Sequence, residues 1–500
     1  MNYIAIYPSH DASISVYINN IVRIFEIERI TKKRFASLLQ DENWKSIYDF
    51  INLQLKKEFN NFKFDICYYL HLPEEHKQYL SEIFSINSFQ ESSHHKAHAA
   101  CSFYQSPFNE ALIISYDGGG LDPDTEERVS FFNIYHAKDE IKRIVTFPWD
   151  LGTSYGLMAV PISEIKKSNL DNFLSFAGKK MGLVAYGNIN YNWVPAIEKF
   201  YKQHKHCNLQ DFEKSLNEEL FEIKINNLEG QQSYDLAATS QYVFEKIILE
   251  TIKPYIDEYK LPICLSGGCA LNVILNQKLY DLYGNNVFIP PNPSDCGLSY
   301  GMIALNHKIK QNIAFSGIDL LDRNNIIGNK CSMKDLAQLL ANNKIIGFVN
   351  GRSEHGPRAL GHRSILCNPN NDNMKDILNA KIKFREWFRP FAPIVKEEDV
   401  NKYFDFNGKA EFMSFSPQIK KYLPATTHKD NSARVQTINK DHILYDLLTE
   451  FEKLTGIGVL LNTSFNIKGK PIITSVNEAY EILSSTDIDG VWIEHMFKAK

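Results

Sequence analysis

Tyr3-Ile4-Ala5-Ile6-Tyr7-Pro8-Ser9-His10-Asp11-Ala12-Ser13-Ile14-Ser15-Val16-Tyr17-Ile18-Asn19-Asn20-Ile21-Val22-Arg23-Ile24-Phe25-Glu26-Ile27-Glu28 opens the chain. It reads as three strands, Tyr3–Tyr7, Ser13–Ile18 and Ile21–Glu28, joined by a polar turn at Pro8–Ala12 and an Asn19-Asn20 hairpin. The 500 residues of the chain are 44% hydrophobic and 23% charged, which excludes a disordered, collagenous or coiled-coil protein. That length implies two to four folding units. A net charge of -4 does not indicate a whole-chain grip on nucleic acid or acidic membrane. The start lacks a basic region followed by a long apolar run, and the longest apolar stretches, such as Ile345–Val349 and Gly458–Leu461, are strand-sized. Eight scattered cysteines without a C-x-x-C pair fit reduced thiols, so the expectation is a soluble cytoplasmic protein without a membrane partner.

An Asp-bearing polar turn between the first two strands is how the actin and sugar-kinase type of nucleotide-binding fold begins. Two further strands carry glycine clusters at their ends. Ala111–Tyr116 runs into Asp117-Gly118-Gly119-Gly120, and Ile263–Leu265 runs into Ser266-Gly267-Gly268 with a helical continuation at Ala270–Gln277. Glycines just after a strand let backbone approach a ligand, and a helix start offers free N–H groups to an anion. A hydrophilic stretch from Leu321 to Lys330 marks the candidate domain boundary, giving units 1–330 and 331–500. Beyond it, a helix at Met333–Leu340 and a strand at Ile345–Val349 begin a second α/β unit, and no internal repeat is visible.

Three groups of residues carry chemistry. His94 and His98 are four apart, so on a helix both rings share one face and can hold one metal ion. Asp295, in the turn-rich Pro290–Gly297 after a strand, is the candidate third ligand. Two imidazoles and a carboxylate leave open positions for a Lewis acid acting on a carbonyl oxygen. His204, His206 and Cys207 look metal-like but read as a solvated helix end. The second group is cationic: from Gly351 to Pro390 there are eight Lys/Arg against four Asp/Glu, a local +4 that includes Arg358, Arg363, Lys383, Arg385 and Arg389. Arginine forks bind phosphate or carboxylate with paired hydrogen bonds, and the interleaved Gly and Pro favour a shaped anion pocket over a basic surface or an RNA patch. The third group, Arg434 with Leu461–Asn466, places polar side chains at a strand end, where an adenylate could be read. No G-x-x-x-x-G-K-[ST] phosphate loop is present.

Taken together, Ser9–Ser13, Ile27–Arg29, His94–Ala100, Lys179–Leu183, Leu265–Asn272, the Asp295 turn, Gly356–Ser364, Lys381–Pro393, Ala433–Gln436 and Leu461–Asn466 resemble the O-carbamoyltransferase family of nodulation-factor and antibiotic modification. The resemblance runs in order from about residue 3 to residue 475. It implies an actin-like, Kae-like N-terminal domain followed by a YrdC-like α/β C-terminal domain. It also implies that carbamoyl phosphate and ATP (with Mg2+) form a carbamoyl-adenylate, and that the carbamoyl group passes to a hydroxylated acceptor. In family terms His94, His98 and Asp295 fall on metal ligands, with Fe2+ the implied ion. Asp117, Gly118, Gly119, Ser266, Gly267, Gly268 and Asn272 match adenylate-handling loops. Lys383 and Arg385 match the adenylate-forming K-x-R pair, with Arg358, Arg363, Ser364, Arg434, Asn462 and Ser464 as anion or nucleotide contacts. His10 and Asp11 lie where an acceptor hydroxyl could be activated. A sugar or other metabolite hydroxyl is the family acceptor, and a hydroxymethylated pyrimidine nucleotide or DNA is an alternative that the net charge does not indicate. The shared folds leave tRNA threonylcarbamoylation and a non-catalytic nucleotide-binding module as competing readings. Gly187–Leu236 aligns poorly and is expected to shape the acceptor pocket.

Overall fold

The computed structural model describes residues 1–123, 125, 128–165, 172–203 and 228–500. Its first sheet contains β1 (Tyr3–Tyr7), β2 (Ser13–Ile18), β3 (Ile21–Glu26), β4 (Phe64–Tyr69) and β5 (Ile86–Glu91), in the order β3-β2-β1-β4-β5. The first three form an antiparallel meander, and β4 and β5 run parallel to β1. The third strand stops at Glu26 rather than Glu28. Glu26 already pairs with Ser13, the first residue of β2, and the Ile27 N–H turns instead to the Ala12 carbonyl at 2.9 Å, starting the short helix Ile27–Thr31.

The second sheet contains β6 (Ala111–Leu121), β7 (Val129–Ala137), β8 (Ile141–Phe147), β9 (Ile263–Ser266) and β10 (Val287–Phe288), in the order β10-β9-β6-β7-β8. Taken from its other edge, this is the first sheet's order again: an antiparallel meander with two parallel strands beside its first member. The fold is therefore duplicated although the sequence shows no repeat. Strand pairing asks only for compatible apolar patterns, and the connections differ greatly in length: residues 27–63 join β3 to β4, whereas 148–262 join β8 to β9.

Each sheet's last strand leads toward a helix, β5 to His94–Phe103 and β10 to Leu298–His307. These two helices pack together between the sheets. Ala99, Ala100 and Phe103 share a core with Tyr300, Ala304 and β6 residues Ala111 and Ile113, while Leu298 and Met302 pack on Tyr3 and Ala5 of β1. This is the actin-like layout expected of the N-terminal half. The expected helix at Ala270–Gln277 is split: Gly268–Leu271 is a 3-10 turn and Val273–Tyr283 is α-helical, because the Asn272 side chain caps the Leu275 N–H at 3.0 Å.

The third sheet contains β11 (Asn329–Lys330), β12 (Ile346–Val349), β13 (Arg363–Cys367), β14 (Ala392–Lys396), β15 (Gln436–Ile438), β16 (Val459–Ser464), β17 (Gly490–Ile493) and β18 (Met496–Ala499), in the order β11-β18-β17-β12-β13-β16-β14-β15. Apart from β11 and β18 at one edge, its strands are buried on both faces, with a period of two. Phe348, Leu366, Leu460 and Trp492 pack under helices Met333–Ala341 and Tyr445–Thr455, while Val349, Ile365, Leu461 and Ile493 face helix Val476–Ser485. Ser332 and Ser475 each close a capping box at the helix they precede. The two halves share apolar contacts: Val395, Phe404, Phe406 and Val435 lie in one cluster with Leu265, Leu275 and Leu279. The whole is a mixed α/β chain with three sheets. No described helix is long and apolar enough to cross a membrane, and the seven described cysteines are free and buried.

Candidate active site

The pseudo-symmetric halves meet at a cluster of titratable side chains. His94 and His98 come from the first turns of helix His94–Phe103. Asp295 opens the turn before helix Leu298–His307, and Asp117 lies in the irregular stretch of β6. The ligand atoms of these four residues all lie within 4.8 Å of one another. His98 Nε2 is 2.9 Å from Asp117 Oδ2 and 3.2 Å from Asp295 Oδ1. His94 Nε2 is 3.8 and 3.7 Å from the same two oxygens, and it is a buried nitrogen without a hydrogen-bond partner. An unsatisfied imidazole nitrogen facing two carboxylates is poor protein packing and good metal coordination. The donor set of two imidazoles and two carboxylates fits a divalent first-row ion, whose charge it would balance. Burial alone would raise the Asp117 carboxyl, but His94 and His98 hold it well below the usual carboxylate range. Burial likewise opposes a proton on His98, and the two carboxylates outweigh it, lifting the imidazole to about 9.

The neighbouring His95 has a different task. It is fully buried between Ser115 Oγ (2.8 Å) and the Ser130 carbonyl (2.9 Å), and its backbone N–H donates to Asp122 at 2.9 Å. Ser93 donates to the same Asp122 oxygen at 2.6 Å, so the start of the helix is pinned. On the open side, the Tyr7 hydroxyl donates to Asp295 Oδ2. His10 places Nε2 at 3.7 Å from that oxygen and Nδ1 at 3.5 Å from Asp11. The His10 ring is half exposed, so the strand-end turn of β1 forms the mouth of the cluster.

The two glycine loops abut at Asp117. A Cβ on Gly120 would lie 2.1 Å from the His94 ring, so this position has room for nothing larger. Gly267 has φ +87°, and a Cβ there would lie 2.1 Å from the Tyr116 carbonyl. The Ser266 hydroxyl is buried without a partner. Asp117 thus belongs to the ligand cluster as well as to the glycine turn where the sequence placed it. Asn272, expected at the same loop, is instead wired into the scaffold: its amide pairs reciprocally with Gln241 at 2.9 and 3.0 Å.

The basic residues separate into two kinds. Arg358, Lys383, Arg385, Arg389 and Arg434 crowd together with Arg34. Burial and mutual repulsion push Arg358 down to about 10 and hold Lys383, Arg385 and Arg434 well below their usual values. Neither Arg358 nor Arg434 has a carboxylate partner among the described residues, and Arg434 Nε is buried without an acceptor. Lys383 Nζ donates to the Ser464 carbonyl at 2.6 Å and to Asn466 Oδ1 at 2.5 Å. Arg385 bonds Asn379 Oδ1 at 2.7 Å and stacks 4.3 Å over Phe391. Glu386 pairs with Arg389 at 3.6 Å, but a concentration of half-buried cations in which Arg358 and Arg434 have no carboxylate among the described residues suits a polyanion.

Arg363, Ser364 and Asn462 are placed otherwise than expected for direct contacts. Arg363 begins β13, is fully buried and spends its guanidinium on the carbonyls of Asn350, Gly351 and His362. Ser364 accepts the Gly361 N–H at 3.1 Å, and Asn462 bonds Gln436 and the Ala359 carbonyl. These three shape the loop that carries Arg358. Tyr7, Arg34 and the ligand role of Asp117 were not read from the sequence, and Arg389 was counted there only within the basic run. No local spacing marks Tyr7 or Arg34, because their partners lie far along the chain. His204, His206 and Cys207 lie outside the described residues.

Comparison with known proteins adds family membership. A model described as carbamoyltransferase N-terminus matches residues 25–304, and one described as carbamoyltransferase C-terminus matches residues 337–500. The chain is 31% identical over 458 residues to nodulation protein U of Sinorhizobium fredii (strain NBRC 101917 / NGR234), covering 84% of this chain and 79% of that one. It is 32% identical over 445 residues to nodulation protein U of Rhizobium tropici, covering 81% and 75%. Among solved structures, full-length HypF in its phosphate- and nucleotide-bound form shares 17% identity, with a TM-score of 0.39 over 62% of this chain and 46% of that one.

Proposed function

The chain belongs to the carbamoyltransferase family of transferase enzymes, and on that premise we propose that it is an ATP-dependent O-carbamoyltransferase. Carbamoyl phosphate and Mg-ATP would form carbamoyl-adenylate at the basic cluster, releasing phosphate and pyrophosphate, and a hydroxylated acceptor would take the carbamoyl group at the His/Asp cluster. The observation that carries this reading is the pairing, in one chain, of a largely buried two-imidazole, two-carboxylate cluster with a half-buried cation cluster in which Arg358 and Arg434 have no carboxylate partner among the described residues.

In this division of labour residues 331–500, a YrdC-like unit, activate the carbamoyl group, and residues 1–330, a Kae-like unit, transfer it. Arg358, Arg385, Arg389 and Arg434 bind phosphate oxygens with charge-assisted forks, and Lys383 fixes the Ser464–Asn466 strand end beside them. A divalent ion held by His94, His98, Asp117 and Asp295, iron by the family resemblance, would supply Lewis acidity toward the carbamoyl carbonyl. The Ser266–Gly268 loop presents backbone and a free hydroxyl to the adenylate. His10 and Asp11 line the approach of the acceptor hydroxyl, a sugar or related metabolite group by the same resemblance.

The test is pyrophosphate release by the purified, metal-loaded chain. We expect it with ATP and carbamoyl phosphate together, and not with ATP, bicarbonate and threonine, the donors of threonylcarbamoylation. Absence of pyrophosphate in the first mixture overturns the reading. His94→Ala should lower metal content and acceptor transfer while adenylate formation continues, and equal loss of both half-reactions would contradict the assignment of the two clusters.

A further inference from the structure

We propose that Glu28 is the base that takes the proton of the acceptor hydroxyl during carbamoyl transfer. The assignment rests on the carbamoyl-transfer reading above and adds to it the group that activates the acceptor.

The position of Glu28 follows from backbone pairing. The Ile27 N–H bonds the Ala12 carbonyl at 2.9 Å, the Ala12 N–H bonds the Ala36 carbonyl at 3.0 Å, and the Leu38 N–H bonds the Pro8 carbonyl at 2.8 Å. Residues 27–38 are therefore stitched along the Pro8–Ala12 turn that bears His10 and Asp11. The same segment carries Arg34, whose charge is felt by Arg358, Lys383 and Arg389. Glu28 consequently stands on the segment that links the Pro8–Ala12 turn to Arg34, close enough to Asp11 and Arg34 for both charges to act on it.

Carboxylates around it are already engaged. Asp117 and Asp295 face imidazoles, Asp11 faces His10, and Glu26 holds Arg29, His355 and the Gly356 N–H. Glu28 is half-buried and accepts one hydrogen bond, from the Phe35 N–H to Oε2 at 3.1 Å. Its Oε1 has no partner among the described residues. The charged groups acting on Glu28 come from each neighbouring element. Burial, Glu26 and Asp11 oppose its ionisation, Arg34 and Arg29 favour it, and the balance pushes the carboxyl up to about 7. A base whose proton affinity sits near the working pH can both collect a proton and release it.

In the step, a lone pair of the acceptor oxygen forms the new C–O bond to the carbamoyl carbon. The bond from that carbon to the adenylate phosphate oxygen breaks, its electron pair leaving with AMP, and the hydroxyl proton passes to Glu28 Oε1. The products are the O-carbamoyl acceptor, AMP and a protonated Glu28, which returns its proton to solvent.

The experiment uses the full metal-loaded chain with ATP and carbamoyl phosphate and two probes. Glycerol supplies a hydroxyl that needs a base. Hydroxylamine supplies a nitrogen nucleophile that is already unprotonated at neutral pH. Glycerol carbamate and hydroxyurea are quantified by mass spectrometry, each divided by pyrophosphate released. For Glu28→Gln, glycerol carbamate per pyrophosphate should fall by about 10²–10⁴-fold, and the wild-type rise with pH through about 7 should disappear. Hydroxyurea per pyrophosphate should change by less than about threefold. A glycerol ratio within about threefold of wild type, or an equal fall of both ratios, overturns the assignment. A wild-type chain that releases no pyrophosphate overturns the carbamoyl-transfer reading beneath it.

Discussion

Gly120→Ala adds one methyl group, and the structure says where it goes. The new Cβ would lie 2.1 Å from Cγ, 2.3 Å from Cδ2 and 2.5 Å from Nδ1 of His94. Carbon contacts normally close at about 3.5 Å, so the ring must retreat by about 1.4 Å. It cannot do so by sliding its helix, because Ser93 and His95 are both anchored on Asp122. The imidazole must swing instead, away from Asp117 and Asp295. Ligand distances tolerate only about 0.2 Å, so the displaced ring no longer binds. Losing an outer partner of a ligand already costs about 10–100-fold in metal affinity, and losing a ligand should cost at least that. The assay is metal content per chain after dialysis, followed by competition with a chelator of known affinity. Gly178→Ala is the control: a Cβ there meets nothing within 4 Å inside helix Phe176–Leu183. The same chemical change should leave metal bound and add about 0.5–1 kcal/mol of stability. If Gly120→Ala binds metal as tightly as the parent chain, the four-residue ligand cluster is wrong.

Other expectations follow from single contacts. Asp117→Asn should reduce metal retention as much as Asp295→Asn, whereas a purely nucleotide-facing Asp117 would leave metal content at the parental level. Lys179 and Glu386 form a buried ion pair at 3.0 Å between the helix Phe176–Leu183 and the basic segment, with side chains 6% and 3% exposed. Lys179→Met should cost about 3 kcal/mol in chemical denaturation, and Lys179→Met with Glu386→Gln should recover much of it; additive losses would show that the pair is not coupled. Glu354 accepts the N–H groups of Leu360, His362 and Arg363. Burial works to raise its carboxyl, but His362, Arg363 and these bonds hold it below the usual value near 4.5. A lowered folded value means its stabilisation is complete above about pH 4.5 and is lost as pH falls through the folded value. Glu354→Gln should therefore flatten the acid limb of the stability curve, and an unchanged limb would remove Glu354 from that account.

What could be read from the chain alone follows the range of the interactions. His94 and His98 were legible because helical spacing is local, and Asp295 because turn residues after a strand announce a ligand-facing end. The second role of Asp117 was not legible, since it depends on β6 lying beside β9, which brings Ser266–Gly268 against the glycine turn. The same limit separates Arg358 from Arg363. Five positions apart in one basic run, they have identical chemistry on paper. Arg363 starts β13 and is drawn inward to satisfy three carbonyls, while Arg358 remains in the preceding loop without a carboxylate partner among the described residues. Charge counting marks the basic run but does not divide it into arginines that brace the backbone and arginines left without a carboxylate. The duplicated sheet order is the largest feature the sequence hid, and it has a consequence for the site. The β1 turn with His10 and Asp11 and the β6 turn with Asp117 are equivalent positions of the two halves, as are the helix starts carrying His94 and Asp295. Four segments scattered over the first three hundred residues therefore converge because the fold repeats, with no need for any segment of sequence to repeat.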